Sequence, residues 1–127
     1  MHLRDREITI LGAGVAGLAV ARALAIRGAK VTVLEQADAI REVGAGLQIS
    51  PNGAAVLRAI GLGAALDAAA LRARAVRLID GLSGDQVLRI DLARADGGHG
   101  FHLVHRADLI ALLLEGARAA GVAIRLL

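Results

Sequence analysis

Three glycines near the start of the chain have the spacing of a phosphate-binding turn. They lie in residues 12–17, G-A-G-V-A-G, which match the pattern G-x-G-x-x-G. In such a turn the first glycine permits a tight bend, the second leaves room for a pyrophosphate, and the third lets the following helix pack closely on the strand. The unpaired N–H groups and the dipole of the helix N-terminus attract the phosphates. The pattern predicts a dinucleotide site formed by Gly12, Ala13, Gly14, Ala16 and Gly17.

A carboxylate follows at the distance expected for contact with the sugar of such a ligand. Glu35 lies eighteen residues after Gly17, at the end of a predicted strand. A carboxylate in this position accepts hydrogen bonds from ribose hydroxyls, and it would repel the 2′-phosphate of NADP. Because FAD and NAD both carry an ADP ribose, these residues leave the two cofactors as alternatives. A glycine-rich turn without a ligand is the third alternative.

The patterns around this turn predict one complete βαβ unit over residues 7–35. Short β-branched runs at Glu7–Leu11 and Lys30–Glu35 are typical of buried parallel strands. Between them, an apolar stripe predicts a helix over Val15–Arg27, and Gly28 has the position of a C-terminal cap. The predicted fold class is therefore α/β, with a Rossmann-like FAD/NAD(P)-binding βαβ fold.

The rest of the chain predicts a surface connection, short helices, a small antiparallel hairpin, and a final helix and strand. The only proline suits the first turn of a helix, and glycines mark the other boundaries. Segment 36–72 is expected to contain the connection Gln36–Asn52, a helix from Pro51 and a helix over Ala64–Leu71. The hairpin is expected at 73–92 and a short strand at His102–His105. Segment 106–127 is expected to contain the helix Arg106–Ala120 and a final strand.

Composition argues against several function classes. The 127 residues include no cysteine, which rules out disulfides, thiolate metal sites and a cysteine nucleophile. The formal charge is +3 without a block of like charges, so we expect no nucleic-acid partner. No apolar stretch has the length of a membrane span, and the charged start does not fit a signal peptide. The three histidines at 99, 102 and 105 have no supporting carboxylate or cysteine framework, so no metal site is predicted. We expect a cytoplasmic bacterial protein.

Two further motifs carry a resemblance to a known family. They are residues 41–53, R-E-V-G-A-G-L-Q-I-S-P-N-G, and residues 105–109, H-R-A-D-L. With the glycine turn and the E-Q-A-D at 35–38, they make the chain similar to the group A flavin monooxygenases. These are single-component aromatic hydroxylases of the p-hydroxybenzoate hydroxylase fold, and the salicylate hydroxylase-like members resemble this chain most. The resemblance covers most of residues 7–127.

This resemblance implies FAD as the cofactor and adds residues to the site. The ADP half would bind to the first βαβ unit, with Gln36 beside Glu35. The stretch that contains Ala45 and Gly46 would pass near the ribityl chain and the isoalloxazine, and Arg106 would reach the ribose or phosphate side. Gln48 could face the cavity of a small aromatic substrate. In this family NAD(P)H is the co-substrate and O₂ the oxidant, and no catalytic residue can be assigned here.

The resemblance also indicates what the chain lacks. A D-G motif and a later G-D motif of the family have no convincing counterpart, and its large antiparallel sheet is represented only by the hairpin. We therefore expect residues 1–127 to be a partial FAD-binding domain, inactive alone, that needs a further C-terminal portion. The alternatives are a non-catalytic dinucleotide-binding or self-associating module and an NAD-dependent dehydrogenase domain.

Overall fold

The chain folds as an α/β protein in a computed structural model that describes residues 3–40, 45–94 and 96–127. The predicted stretch Arg41–Gly44 lies outside the described residues. In chain order the elements are β1 (Glu7–Leu11), α1 (Val15–Ala25), β2 (Lys30–Glu35), β3 (Gly46–Ile49), α2 (Pro51–Ala59), α3 (Gly63–Ala69), β4 (Leu71–Ala73), β5 (Ala75–Ile79), β6 (Gln86–Asp91), a 3-10 turn (Leu92–Arg94), β7 (Phe101–His105), α4 (Arg106–Ala119) and β8 (Ala123–Leu126).

The first sheet is parallel and has the order β1–β2–β8. β1 and β2 are in register, with Ile10 opposite Val33, and β8 extends the sheet on the other side of β2. The crossover between β1 and β2 is α1, which buries Leu18 and Ala21 completely. Burial of one leucine side chain contributes roughly 1.5–3 kcal/mol to stability. The predicted Rossmann-like βαβ fold is confirmed.

The second sheet is antiparallel, with β7 between β3 and β4. Its strand β3 corrects one expectation, because the last part of Gln36–Asn52 is a strand and not a surface connection. The four residues of β3 alternate between exposed and half-buried positions, which is the period of a strand. This pattern is too short to outweigh the neighbouring glycine and proline signals, and pairing with β7 decides the conformation.

The predicted hairpin is present as the β5–β6 pair. The strand before its turn begins later than expected, since Ala73 belongs to β4 and pairs with Phe101 of β7. The single residue Arg74 separates β4 from β5. The backbone therefore leaves one sheet and enters another within what reads as a continuous strand in the sequence.

Small aliphatic side chains form the core between the first sheet and the helices, since the chain has only one aromatic residue. α1 packs against α4, and α3 and the inner face of β7 lie beside them. The largest completely buried side chains are Leu18, Leu66, Leu113, His102 and Val33. No helix in the described ranges is both long and apolar enough to cross a membrane.

Arg22 connects three helices at the end of this core. Its Nε–H donates to the carbonyl oxygen of Ile60 at 2.7 Å, just after α2, and its Nη1 donates to the carbonyl oxygen of Gly116 in α4. Carbonyl groups near a helix C-terminus carry partial negative charge, so a guanidinium stabilises them. Arg22 itself lies on α1 and thus fixes the positions of α2 and α4 relative to it.

We expect Arg22→Met to lower the free energy of unfolding by about 1–3 kcal/mol, because partly buried carbonyl groups lose a charged donor. Urea denaturation followed by circular dichroism measures this change. Arg27→Met is the matched control, since Arg27 is exposed and donates only to the carbonyl of Ala23 in the preceding turn. Equal stability of the two variants would contradict the proposed role of Arg22.

Candidate cofactor site

The glycine turn connects β1 to α1 through a very close backbone approach. Gly12 has a φ of +94°, a conformation that favours glycine. A Cβ on Gly17 would lie 2.0 Å from the carbonyl oxygen of Gly12, so only glycine permits the helix to pack this closely. At Gly14, in contrast, a Cβ would meet nothing within 4 Å. The backbone of Gly14 is therefore open on the side from which a ligand could approach.

The N-terminus of α1 presents its N–H groups at the same place. Gly14 is the N-cap residue, no side chain caps the helix, and its first turn has no acidic residue. Ala16 in this turn is exposed, whereas Ala13 is buried beneath the turn. The helix dipole and its free donors therefore provide an anion-binding position at the C-terminal end of β1.

Glu35 at the end of β2 is hydrogen-bonded to the glycine turn. The Ala13 N–H donates to its Oε2 at 2.7 Å, and the Ala37 N–H donates to its Oε1 at 2.9 Å. These backbone donors, that of Ala13 first, lower the pKa of the Glu35 carboxyl below its ordinary value. Each carboxylate oxygen keeps a second acceptor position, which suits the hydroxyls of a ribose. Gln36, the next residue, is exposed beside it.

A second group of predicted residues lies where β3, β7 and α4 meet. The Arg106 N–H donates to the carbonyl oxygen of Ala45 at 3.1 Å, which connects the start of α4 to the start of β3. Gly46 lies directly opposite His105 in the β3–β7 pair, and Gln48 is exposed on the same face as Gly46. Arg106 begins α4, where Asp108 in the first turn supplies the acidic side chain that the helix dipole favours.

An apolar cavity of about 410 Å³ lies between α1 and β3. Val15 and Ala19 of α1 line one side of it, and Leu47 and Gln48 of β3 line another. The structure therefore places the glycine turn and the β3 segment beside a shared cavity, although they are separated by about thirty residues of sequence. The volume is within the range of small-molecule sites.

His102 and His105 do not form a common site, because β7 directs them to opposite faces, and His99 lies outside this strand. His102 is buried, and its Nε2 lies 3.3 Å from Oδ1 of Asp67, which also binds Arg58. Its Nδ1 is buried and has no hydrogen-bond partner among the described residues. His105 is exposed on the other face of the sheet. In the part of the chain that the structure describes, no group of three His, Asp or Glu residues could hold a metal.

The comparison with protein families distinguishes between FAD and NAD as the cofactor. A family model described as "FAD binding domain" matches residues 5–126. The chain belongs to this family of FAD-binding domains. The cofactor of the family is FAD, and the open backbone at Gly14, the uncapped helix and the Glu35 carboxylate fit the ADP half of that molecule. This membership resolves the alternatives left by the glycine turn in favour of FAD over NAD.

Relatives among characterised proteins are monooxygenases of aromatic compounds. The chain is 42% identical over 122 residues to a 3-amino-4-hydroxybenzoate 2-monooxygenase from Streptomyces cremeus, covering 94% of this chain and 31% of that protein. It is 38% identical over 120 residues to a 3-hydroxybenzoate 6-hydroxylase from Polaromonas naphthalenivorans (strain CJ2), covering 92% and 30%. The chain therefore spans about a third of the length of these relatives.

Solved structures show the same fold. The tetrameric form of 2-methyl-3-hydroxypyridine-5-carboxylic acid oxygenase superimposes with a TM-score of 0.84 at 26% identity, covering 96% of this chain and 31% of the other. CtdE in complex with FAD and a substrate superimposes with a TM-score of 0.78 at 25% identity, covering 96% and 30%. Both agree with the resemblance that the motifs indicate.

The second and third glycines of the turn, Gly14 and Gly17, are expected to respond differently to substitution by alanine. Gly17→Ala places a methyl group against the Gly12 carbonyl and should lower the free energy of unfolding by about 1–3 kcal/mol. Gly14→Ala adds a methyl group in open space at a φ of −77° and should change stability by less than about 0.5 kcal/mol. Thermal unfolding of the flavin-free variants measures both, and a Gly14→Ala variant as unstable as Gly17→Ala would contradict this geometry.

The lowered pKa of Glu35 predicts a dependence of stability on acid pH. The unfolded chain takes up the proton near the ordinary pKa of 4.5, while the folded chain resists protonation to lower pH. The stabilising contribution of Glu35 is therefore complete above that pH and is lost as the pH falls through the lower, folded-state pKa. The Glu35→Gln variant should lose less stability than the parent chain between about pH 5 and pH 3.

Chemical denaturation at several pH values tests this difference. Glu115→Gln is the control, because it removes a carboxylate from the exposed side of α4. If the Glu35→Gln and parent curves stay parallel across the acid range, the hydrogen bonds to Ala13 and Ala37 do not stabilise the charged carboxylate.

Proposed function

We propose that this chain is the FAD-binding, N-terminal part of a flavin-dependent monooxygenase that hydroxylates a small aromatic substrate with NAD(P)H and O₂. The observation that carries the proposal is the 2.7 Å hydrogen bond between the Ala13 N–H and Glu35. It joins the carboxylate proposed to bind the ribose to the turn proposed to bind the phosphates. The names of the two relatives support the reaction class, since both are oxygenases of hydroxybenzoates.

In this proposal the first group of residues binds the ADP half. The N–H groups at the start of α1 donate to the pyrophosphate, and Gly14 permits its approach to the backbone. Glu35 accepts hydrogen bonds from the ribose, with Gln36 beside it. A glutamate carboxyl is ionised and a strong acceptor across the neutral range, and the lowered pKa of Glu35 extends this charged form to more acidic pH.

The second group holds the remainder of the cofactor. Ala45 and Gly46 present their backbone to the ribityl chain and the ring system, and Arg106 at the start of α4 contacts the ribose or phosphate side. The hydrogen bond between the Arg106 N–H and the Ala45 carbonyl keeps these two contacts in a fixed relation. FAD bound by these residues would supply electron transfer from NAD(P)H to O₂ and transfer of one oxygen atom to the aromatic substrate. A cytoplasmic bacterial location, self-association and a missing C-terminal portion stay predictions.

The direct test is FAD binding by the purified chain. We expect added FAD to bind with quenched flavin fluorescence, and Gly14→Asp to weaken this binding at least about tenfold because a carboxylate then faces the pyrophosphate. Glu35→Gln should weaken it by a smaller factor, since the amide still accepts one hydrogen bond. NADH should compete poorly in the same titration.

Two controls separate binding from folding. Gly81→Asp introduces the same side chain at an exposed turn in open space, and it should bind FAD like the parent chain. Circular dichroism of each variant confirms that the fold is retained. Unchanged FAD affinity in a folded Gly14→Asp variant would mean that the glycine turn is not the cofactor site.

A further inference from the structure

Another cavity lies where the edge strand β4 meets the hairpin. It has a volume of about 650 Å³, which is within the range of small-molecule sites. β4, β6 and the segment that follows β6 form its lining, and its charged side chains are three arginines and two aspartates: Arg72, Arg74, Arg89, Asp91 and Asp96. None of the residues that we propose to bind FAD belongs to this lining. We call it the arginine cavity.

The first arginine, Arg72, is held in place by a nearly buried carboxylate. The Asp96 side chain is 8% exposed, and its Oδ2 accepts a hydrogen bond from Nη2 of Arg72 at 2.6 Å. Its Oδ1 accepts the Gly98 N–H at 2.8 Å, which fixes the carboxylate from the other side. A guanidinium has five N–H donors, so the bond to Asp96 leaves several for an anion. Arg72 is therefore a positioned donor on the wall of the cavity.

The other two arginines of the cavity have no close counter-ion. Arg74 is the single residue between β4 and β5, its side chain is exposed, and it makes no hydrogen bond or ion pair with the described residues. Nη1 of Arg89 lies 3.9 Å from Oδ2 of Asp91, which is too long for a hydrogen bond. Both guanidinium groups can therefore bind an anion without first breaking a short ion pair.

The hairpin places a further arginine directly beside this cavity. Arg77 of β5 lies opposite Arg89 of β6 in the strand pairing. Like charges in directly opposite positions destabilise a sheet. The Nε–H of Arg77 donates to the neutral Gln86 side chain at 2.9 Å, which compensates neither charge. An anion next to Arg89 would relieve this repulsion, so the arginine pair is an independent indication of an anionic ligand.

The charge and size of the cavity favour a phosphate over a carboxylate. The two aspartates in the lining repel any anion, and a phosphate group offers more charge than a carboxylate to offset this repulsion. Arginine binds phosphate through paired N–H donors, which adds strength and a defined orientation. An isolated phosphate ion would fill only a small part of 650 Å³, so the volume favours a phosphate that is attached to a larger group.

We propose that the arginine cavity binds the phosphate group of a nucleotide, at a site distinct from the glycine turn. This inference goes beyond the proposed function, in which the phosphates of FAD bind at the start of α1. Arg72, Arg74 and Arg89 are the phosphate donors. A nucleotide monophosphate and the NAD(P)H of the proposed reaction both carry this chemistry, and the affinities of AMP and NADPH distinguish these two sources.

The test is calorimetric titration of the 127-residue chain with AMP, NADPH and inorganic phosphate. We expect AMP or NADPH to bind saturably and more tightly than inorganic phosphate, with an affinity that falls as the salt concentration rises. Arg74→Met should weaken the binding roughly fivefold, and it leaves no carboxylate unpaired. Arg27→Met is the matched control, because it removes the same charge outside the cavity.

Asp91→Asn tests the same site in the opposite direction. It removes a charge that opposes the anion, and it keeps the Oδ1 atom that accepts the Ala93 N–H at 3.0 Å. We expect this variant to bind AMP or NADPH roughly threefold more tightly than the parent chain. A variant that merely damaged the fold would not gain affinity.

Several results would overturn the inference. These are equal affinities of the Arg74→Met and Arg27→Met variants, no gain in affinity in Asp91→Asn, or no binding of either nucleotide. Inorganic phosphate that binds as tightly as both nucleotides would mean a site for the ion alone. Binding that is lost in Gly14→Asp and kept in Arg74→Met would mean that the nucleotides bind at the glycine turn. FAD binding is measured separately by its fluorescence, so failure of the inference and failure of the proposed function are distinguishable.

Discussion

The close approach of α1 to the end of β1 is the constraint on which the rest of the structure depends. With 2.0 Å between the Gly12 carbonyl oxygen and the position of a Cβ on Gly17, no other residue type allows it. This approach brings the start of α1 to the edge of the sheet, next to the Ala13 N–H that donates to the carboxylate at the end of β2. It also sets the direction of α1, against which α4 and the rest of the core pack.

Electrostatic preorganisation follows from this contact. Glu35 accepts backbone hydrogen bonds from both sides, and these lower its pKa. The carboxylate therefore holds the turn in place, and its charged form is the one that these hydrogen bonds favour. The Glu35 side chain thus fixes the conformation of the turn. Gly14 is the position of the turn where a Cβ would meet nothing within 4 Å, so its backbone is open to a ligand.

The second sheet determines which polar residues are buried and which are exposed. Because side chains alternate along a strand, β7 directs His102 into the core and His105 to the exposed face. His102 is then held by Asp67, and Arg58 completes this connection between α2 and α3. His105 is exposed opposite Gly46. Two histidines three residues apart in the sequence therefore lie on opposite faces of the sheet.

The sequence by itself determined the βαβ unit, the hairpin and a dinucleotide as the kind of cofactor, because the glycine spacing, the β-branched runs and Glu35 are local signals with a direct physical meaning. Only the tertiary structure decided that Gly46–Ile49 is a strand, that Ala73 belongs to a different sheet from Ala75, and which histidine is buried. These outcomes depend on pairing with β7, which follows in the chain some fifty residues after β3 and nearly thirty after β4. Local sequence patterns do not predict such long-range pairing, since four residues that alternate between apolar and polar fit a strand or a loop equally well.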